Sequence, residues 1–251
     1  MAKTKVIEVE NITKSYKFAE NTFTVLKEIS FEIESGEFVI FFGPSGCGKS
    51  TLLNIISGLE VIDTGKVKIR GEDISKFNNH QMANYRRTKI GIVFQQFNLL
   101  KNLTNEENVA LPLLANNEPK VRSIKRAQSM LTMFGLSKHF QKKPTELSGG
   151  QQQRVAMARA LAANPWIIIA DEPTGNLDTK SANEVMEIFN ILNKKSKRTV
   201  IMVTHNPDYT KFADRIFFLR DGQIVKEQRN HHTESVQEIA DFKLSEHALE
   251  G

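Results

Sequence analysis

The chain has 251 residues, 40% hydrophobic and 25% charged, with 34 Lys+Arg against 29 Asp+Glu for a net charge of +5. That composition is ordinary for a soluble protein and long enough for one large domain or two small ones. No apolar run approaches the ~18 residues needed to span a bilayer, and a single cysteine, Cys47, excludes an intrachain disulfide framework and suits a reducing cytoplasm. The opening M-A-K-T-K-V-I-E has no signal-peptide hydrophobic region. The basic excess fits a solvated lysine-rich surface or a face near anionic lipid. K-K-S-K-R at 194–198 has no aromatics interleaved for base stacking, so no nucleic-acid partner is expected.

In chain order, V-I-E-V-E-N-I and V-L-K-E-I-S-F-E-I-E alternate like strands and end at the turn Ser35-Gly36. F-V-I-F-F at 38–42 is short and continuously apolar, as expected of a buried strand in a mostly parallel sheet. It runs into G-P-S-G-C-G-K-S and then the helical T-L-L-N-I-I-S-G, closed by Gly58. From about 95 to 164 helical periodicity takes over, as in I-K-R-A-Q-S-M-L-T-M-F-G-L at 124–136, which predicts a helical subdomain inserted into an α/β core. Strands resume at W-I-I-I-A-D (166–171), T-V-I-M-V-T-H (199–205) and R-I-F-F-L-R (215–220), with a helix over 181–192 between the first two. The polar tail, 230–251, predicts a helix and a frayed end and carries no functional signal.

Gly43 to Ser50 satisfies G-x-x-x-x-G-K-[ST] between a buried strand and a helix, the setting a phosphate loop requires. Gly43, Pro44, Ser45, Gly46, Cys47 and Gly48 form the loop, all but Pro44 offering a backbone N–H, and the helix N-terminus adds its dipole. Lys49 is placed for the β- and γ-phosphates of a nucleoside triphosphate, Ser50 for Mg²⁺ and Thr51 for the α-phosphate. A thiol at Cys47 would sit among those groups and near Lys49, partly activated, where a bulky adduct would fill phosphate space, so alkylation is expected to inactivate and MgATP to protect.

Asp171 ends a buried strand, positioned to hold Mg²⁺ directly or through water. Glu172 follows, where it could polarise the water that attacks the γ-phosphate; taken alone, the pair reads equally as an acidic cap before P-T-G. His205 closes the next strand, either a surface histidine or a γ-phosphate sensor. Gln95 closes I-G-I-V-F at the joint with the helical insertion, as an exposed loop residue or as a contact to Mg²⁺ and water. Tyr16 is either an edge-strand tyrosine or a platform for adenine. L-S-G-G-Q-Q-Q-R, from Leu147, opens a second anion-grasping turn at Ser148, Gly149 and Gly150.

Taken together, L-S-G-G-Q-Q-Q-R, the phosphate loop and A-D-E-P-T-G-N-L-D resemble the ATP-binding subunits of ABC transporters over about residues 7–225. The resemblance implies a phosphate-loop NTPase core with an N-terminal antiparallel β part and the helical insertion, all within residues 1–229. It implies an ATPase that pairs head to tail with a second copy around two ATP and Mg²⁺, so that Ser148, Gly149 and Gly150 complete the other copy's site. It further implies Tyr16 for adenine, Gln95 as the Q-loop glutamine, Glu172 as base, His205 as switch histidine and Asp178 in the loop coupling the two sites. I-G-I-V-F-Q-Q-F-N-L-L and L-T-N-E-E-N-V-A-L-P-L-L are similar to macrolide-exporter and lipoprotein-release subunits. These imply separate integral-membrane subunits, a peripheral position at the cytoplasmic face, and Phe97, Leu99 and Leu100 lining the docking groove. The alternative is a soluble ABC-type ATPase of DNA repair or chromosome structure. Those heads usually separate the two motifs by a long coiled coil, whereas only 98 residues (147 minus 49) separate Lys49 from Leu147.

Overall fold

The computed structural model describes residues 4–19 and 21–230; the expected C-terminal helix lies outside the described residues. The chain runs β1 (Lys5–Phe18), β2 (Asn21–Glu34), β3 (Phe38–Phe42), α1 (Lys49–Ile56), β4 (Thr64–Ile69), β5 (Glu72–Asp73), α2 (Asn79–Lys89) and β6 (Ile90–Val93). Then follow α3 (Asn105–Ala115), α4 (Lys120–Met133), α5 (Gly149–Ala162), β7 (Ile167–Asp171), α6 (Thr179–Lys194), β8 (Thr199–Thr204), β9 (Arg215–Arg220) and β10 (Gln223–Arg229).

Two sheets form. One is antiparallel with strand order β2-β1-β4-β5, and the other has order β10-β9-β3-β8-β7-β6. In the second, β9, β3, β8, β7 and β6 are parallel and only β10 runs against its neighbour. The apolar runs of β3, β7 and β8 are continuous because both faces of this sheet are covered. Phe38, Ile40, Ile168, Ala170, Val200 and Met202 pack into one core with the helices α3 to α6. Val39, Phe41, Ile167, Ile169, Ile201 and Val203 pack into the other, with α1 and the antiparallel sheet. Strand period 2 thus sends alternate residues of one run to two different cores.

Helix ends follow their caps. Asp178 accepts from Ser181 N–H and starts α6 two residues before the expected 181. Gly58 and Gly135, at φ +70 and +71, lie just beyond α1 and α4 and take the left-handed turn that ends a helix. The insertion is helical as expected, with α3, α4 and α5 packed on one another, while α5 also lies against β6 and α6.

Gly43 ends the strand for a reason other than phosphate. A Cβ there would lie 2.3 Å from the Leu219 carbonyl oxygen and 2.9 Å from Cys47 Sγ. Relief requires moving backbone, so Gly43→Ala is expected to destabilise the nucleotide-free protein by about 1–3 kcal/mol. An unchanged thermal midpoint without nucleotide would contradict this. Left-handed φ belongs instead to Gly46 (+79) and Gly48 (+101), where the loop does need glycine's freedom.

Candidate active site

Parallel register gathers the site at one sheet edge. Phe42 pairs with Thr204, and Asp171 pairs with Val203. The phosphate loop, Glu172 and His205 therefore leave three adjacent strands side by side at their carboxyl ends, where ligands of such sheets bind.

Lys49 is buried at 5% exposure. Its Nζ donates to Gly43 O at 2.9 Å and Pro44 O at 2.7 Å, and no carboxylate lies within 4 Å of it among the described residues. A buried ammonium held by two carbonyl dipoles and, at 4.0 Å, by Cys47 Sγ has no carboxylate in contact with it, so it fits an anionic phosphate chain. Pro44, Ser45 and Gly46 are exposed above it.

Ser50 Oγ donates to Asp171 Oδ1 at 3.1 Å. Burial pushes the Asp171 carboxyl above its usual range and Glu172 adds to this, while the Ser50 hydroxyl and the Lys49 charge oppose it. An under-neutralised carboxylate beside a hydroxyl is a hard oxygen pair that fits Mg²⁺. No group of three or more His, Cys, Asp or Glu suited to a metal occurs among the described residues. Such an ion would draw its other ligands from phosphate oxygens and water, as Mg²⁺ usually does.

Glu172 is partly buried, and its Oε1 lies 3.1 Å from Nδ1 of the more exposed His205. The two border a cleft of about 710 Å³ that also meets Thr174, Gly175 and Thr204. The Gln95 side chain lies against Gly175, where an added Cβ would fall 2.6 Å from Gln95 Nε2. Two residues that the sequence did not single out fix the Gln95 segment. Asn176 Nδ2 donates to Gln95 O at 3.0 Å. Arg159 donates to Asn98 O at 2.6 Å and to Phe97 O at 2.9 Å, bracing two consecutive left-handed residues. Asn176 lies inside the quoted G-N-L-D and was findable there; nothing in sequence marks Arg159.

The second anion turn lies elsewhere. Ser148 caps α5 by accepting from Gln151 N–H, and Gln151 Oε1 accepts from Ser148 N–H, a reciprocal capping box. A Cβ on Gly149 would meet Leu177 and Asn176, and one on Gly150 would meet Ser181 Oγ at 2.7 Å. The nearest neighbours of the turn are thus residues 176–181 rather than the phosphate loop. In that stretch Asp178 accepts from the Ser181 amide and hydroxyl, which hold its carboxyl below the usual range.

One expectation changes. The Cys47 side chain is 6% exposed and packs in the core beneath the loop with Leu26, Leu52 and Leu219; only its backbone can serve phosphate. Alkylation of the folded protein should therefore be slow and leave activity intact until unfolding exposes Cys47, a result mass spectrometry would read directly; rapid stoichiometric labelling would contradict it. The Tyr16 ring, 40% exposed, donates its hydroxyl to Glu60 at 3.3 Å and has Lys14 Nζ 5.1 Å from its centroid. Its place on β1 leaves it at the surface of the antiparallel sheet.

A family model described as ABC transporter matches residues 26–175. The chain belongs to the ABC transporter family. An ABC transporter ATP-binding protein of Methanocaldococcus jannaschii is 50% identical over 221 residues, covering 88% of this chain and 98% of that one. The macrolide export ATP-binding/permease protein MacB of Chlorobaculum tepidum is 42% identical, matching 89% of this chain but 34% of that longer protein. The ATP-binding cassette MJ0796, solved as a dimer in a post-hydrolysis state with ADP and Pi, superposes with TM-score 0.83 at 43% identity. That match covers 89% of this chain and 98% of the cassette. The chain is an ABC ATP-binding domain and an ATPase of the transporter class, not a DNA-repair head.

Proposed function

We propose that this ABC ATP-binding domain is a subunit that closes head to tail with a second copy around two ATP and Mg²⁺, and thereby drives separate membrane-spanning chains. The observation that carries the reading is the distance in the fold between its two anion turns. Ser148–Gly150 borders residues 176–181, so the Gly149 and Gly150 N–H groups and the helix N-terminus are left for a phosphate held by another copy.

Within each site, Lys49 holds the β- and γ-phosphates, the loop amides from Gly43 to Thr51 cradle them, and Tyr16 supports the adenine. Ser50, Asp171 and Gln95 would hold Mg²⁺, which when bound supplies positive charge to the phosphate oxygens. Glu172 accepts a proton from the attacking water, and His205, already beside its Oε1, orients that carboxylate toward the phosphate. Asp178, kept ionised by Ser181, links the two sites across the pair. Residues 1–229 act as one domain with the helical subdomain at about 95–164.

The membrane partner docks at a cleft of about 480 Å³ lined by Gln96, Phe97, Leu99, Lys101, Pro144 and Thr145. Leu100, beside it, is 51% exposed. No helix among the described residues is long and apolar enough to cross a membrane; in this reading the chain sits peripherally at the cytoplasmic face, held there by its partner. MacB, whose name joins ATP-binding and permease functions in one chain, suggests the macrolide-export and lipoprotein-release types as models for the pair. The chain is expected to sediment with membranes only when its cognate membrane subunit is co-expressed. Equal membrane recovery from cells lacking every candidate subunit would point to direct lipid binding instead.

A further inference from the structure

Glu172 stands in the left-handed region at φ +42 and precedes a proline. Both facts work against that backbone state for a residue with a side chain, so surrounding bonds must over-determine it. Glu172 N–H donates to Val203 O at 3.1 Å, and Glu172 O accepts from Gly175 N–H at 3.0 Å. The next carbonyl, Pro173 O, accepts from Gln153 Nε2 at 2.7 Å. The first bond comes from the sheet and the second from the turn itself. The third comes from α5, five residues after Ser148.

Gln153 is fully buried at 0% exposure, and its Oε1 is buried with no hydrogen-bond partner. Pro173 O can only accept, which fixes the orientation of the amide. A buried side chain that satisfies half of its polar atoms bears a desolvation penalty that an apolar residue of equal size would avoid. What the glutamine contributes against that penalty is one donor aimed at the carbonyl next to Glu172.

We propose that Gln153 is a positioning residue through which the Ser148–Gly150 turn sets the backbone of Glu172, so that one nucleotide site reports on the other. The assignment rests on the reading that this turn grips the nucleotide of the second copy. Ser148 and Gln153 lie within the first two turns of one helix, which moves as a unit at this length. Drawing the turn toward a phosphate displaces Gln153 with it, and a 2.7 Å bond transmits that movement to Pro173 because hydrogen bonds tolerate little stretching. The Glu172 carboxylate then swings with its strained backbone. Oε1, unused in this state, gives the amide a second bond to make once it has moved.

The test uses two variants. Gln153→Met keeps the volume and removes the donor, so kcat should fall about tenfold or more while KM for ATP stays within roughly twofold. Added to Glu172→Gln, it should leave the MgATP-driven dimer intact on size-exclusion chromatography, since Lys49 and Ser148 are untouched. In Gln153→Glu only a protonated carboxyl can donate to Pro173 O. Its kcat relative to wild type should therefore rise as pH falls from roughly 8 to roughly 6, because burial raises a carboxyl's pKa. Unchanged kcat in Gln153→Met, or a pH-independent ratio in Gln153→Glu, overturns the assignment. So does loss of the dimer in the double variant, which would make Gln153 a support of the turn alone. If Glu172→Gln itself forms no dimer with MgATP, the two-copy reading fails first and the assignment falls with it.

Discussion

Glu172→Gln is expected to hold two copies together as a stable dimer in MgATP, where the unmodified chain associates only transiently. The substitution keeps the shape and the hydrogen bond to His205 Nδ1 but removes the base, so ATP persists between the copies. Binding energy from two phosphate contacts across the interface then accumulates rather than being discharged by hydrolysis. Adding Ser148→Arg should abolish this dimer. Ser148 is exposed at the helix N-terminus, so arginine folds without a core clash yet fills the space an opposing phosphate needs. ATP binding by the monomer should survive within roughly a factor of three, because Lys49 and the loop around it are unaltered. Size-exclusion chromatography with MgATP and a nucleotide-binding titration read the two halves separately. Loss of ATP binding in the Ser148→Arg monomer would assign the turn to its own site and end the two-copy mechanism.

Much of this site was legible because its parts are local. A phosphate loop declares itself by glycine spacing between a buried strand and a helix, and the Ser148 cap by S-G-G-Q opening a helix. The parallel sheet was legible for a related reason: strands covered on both faces lose their polar alternation, as Phe38–Phe41 and Thr199–Thr204 show. What escaped depends on long-range approach. Gly43 reads as a phosphate glycine, yet the backbone of β9 beside it decides its identity. Cys47 reads as a thiol in the site, but only the fold shows its side chain turned into the core. Arg159 and Gln153 bond to carbonyls of distant loops, and a carbonyl has no signature in sequence. α2 and the short β4–β5 pair went unread because their surfaces are mostly polar; α2 buries only Tyr85.

Lys49→Ala is expected to lower ATP turnover by ~10²–10³-fold, the usual loss when one fixed donor to developing charge is removed. Two opposing effects bear on the nucleotide-free protein. The variant deletes a buried ammonium that lacks a carboxylate partner, which relieves desolvation. It also leaves Gly43 O and Pro44 O without their donor, at about 1–3 kcal/mol for a buried acceptor. Because these offset, the thermal midpoint without nucleotide should shift little, and the loss of turnover will not reflect unfolding. Affinity should fall more for ATP than for ADP, since the ammonium reaches the γ- as well as the β-phosphate. Equal losses for the two nucleotides would place Lys49 on the β-phosphate alone. Unchanged steady-state turnover would remove Lys49 from the site, and with it the assignment of Gly43–Ser50 as the loop that holds the nucleotide.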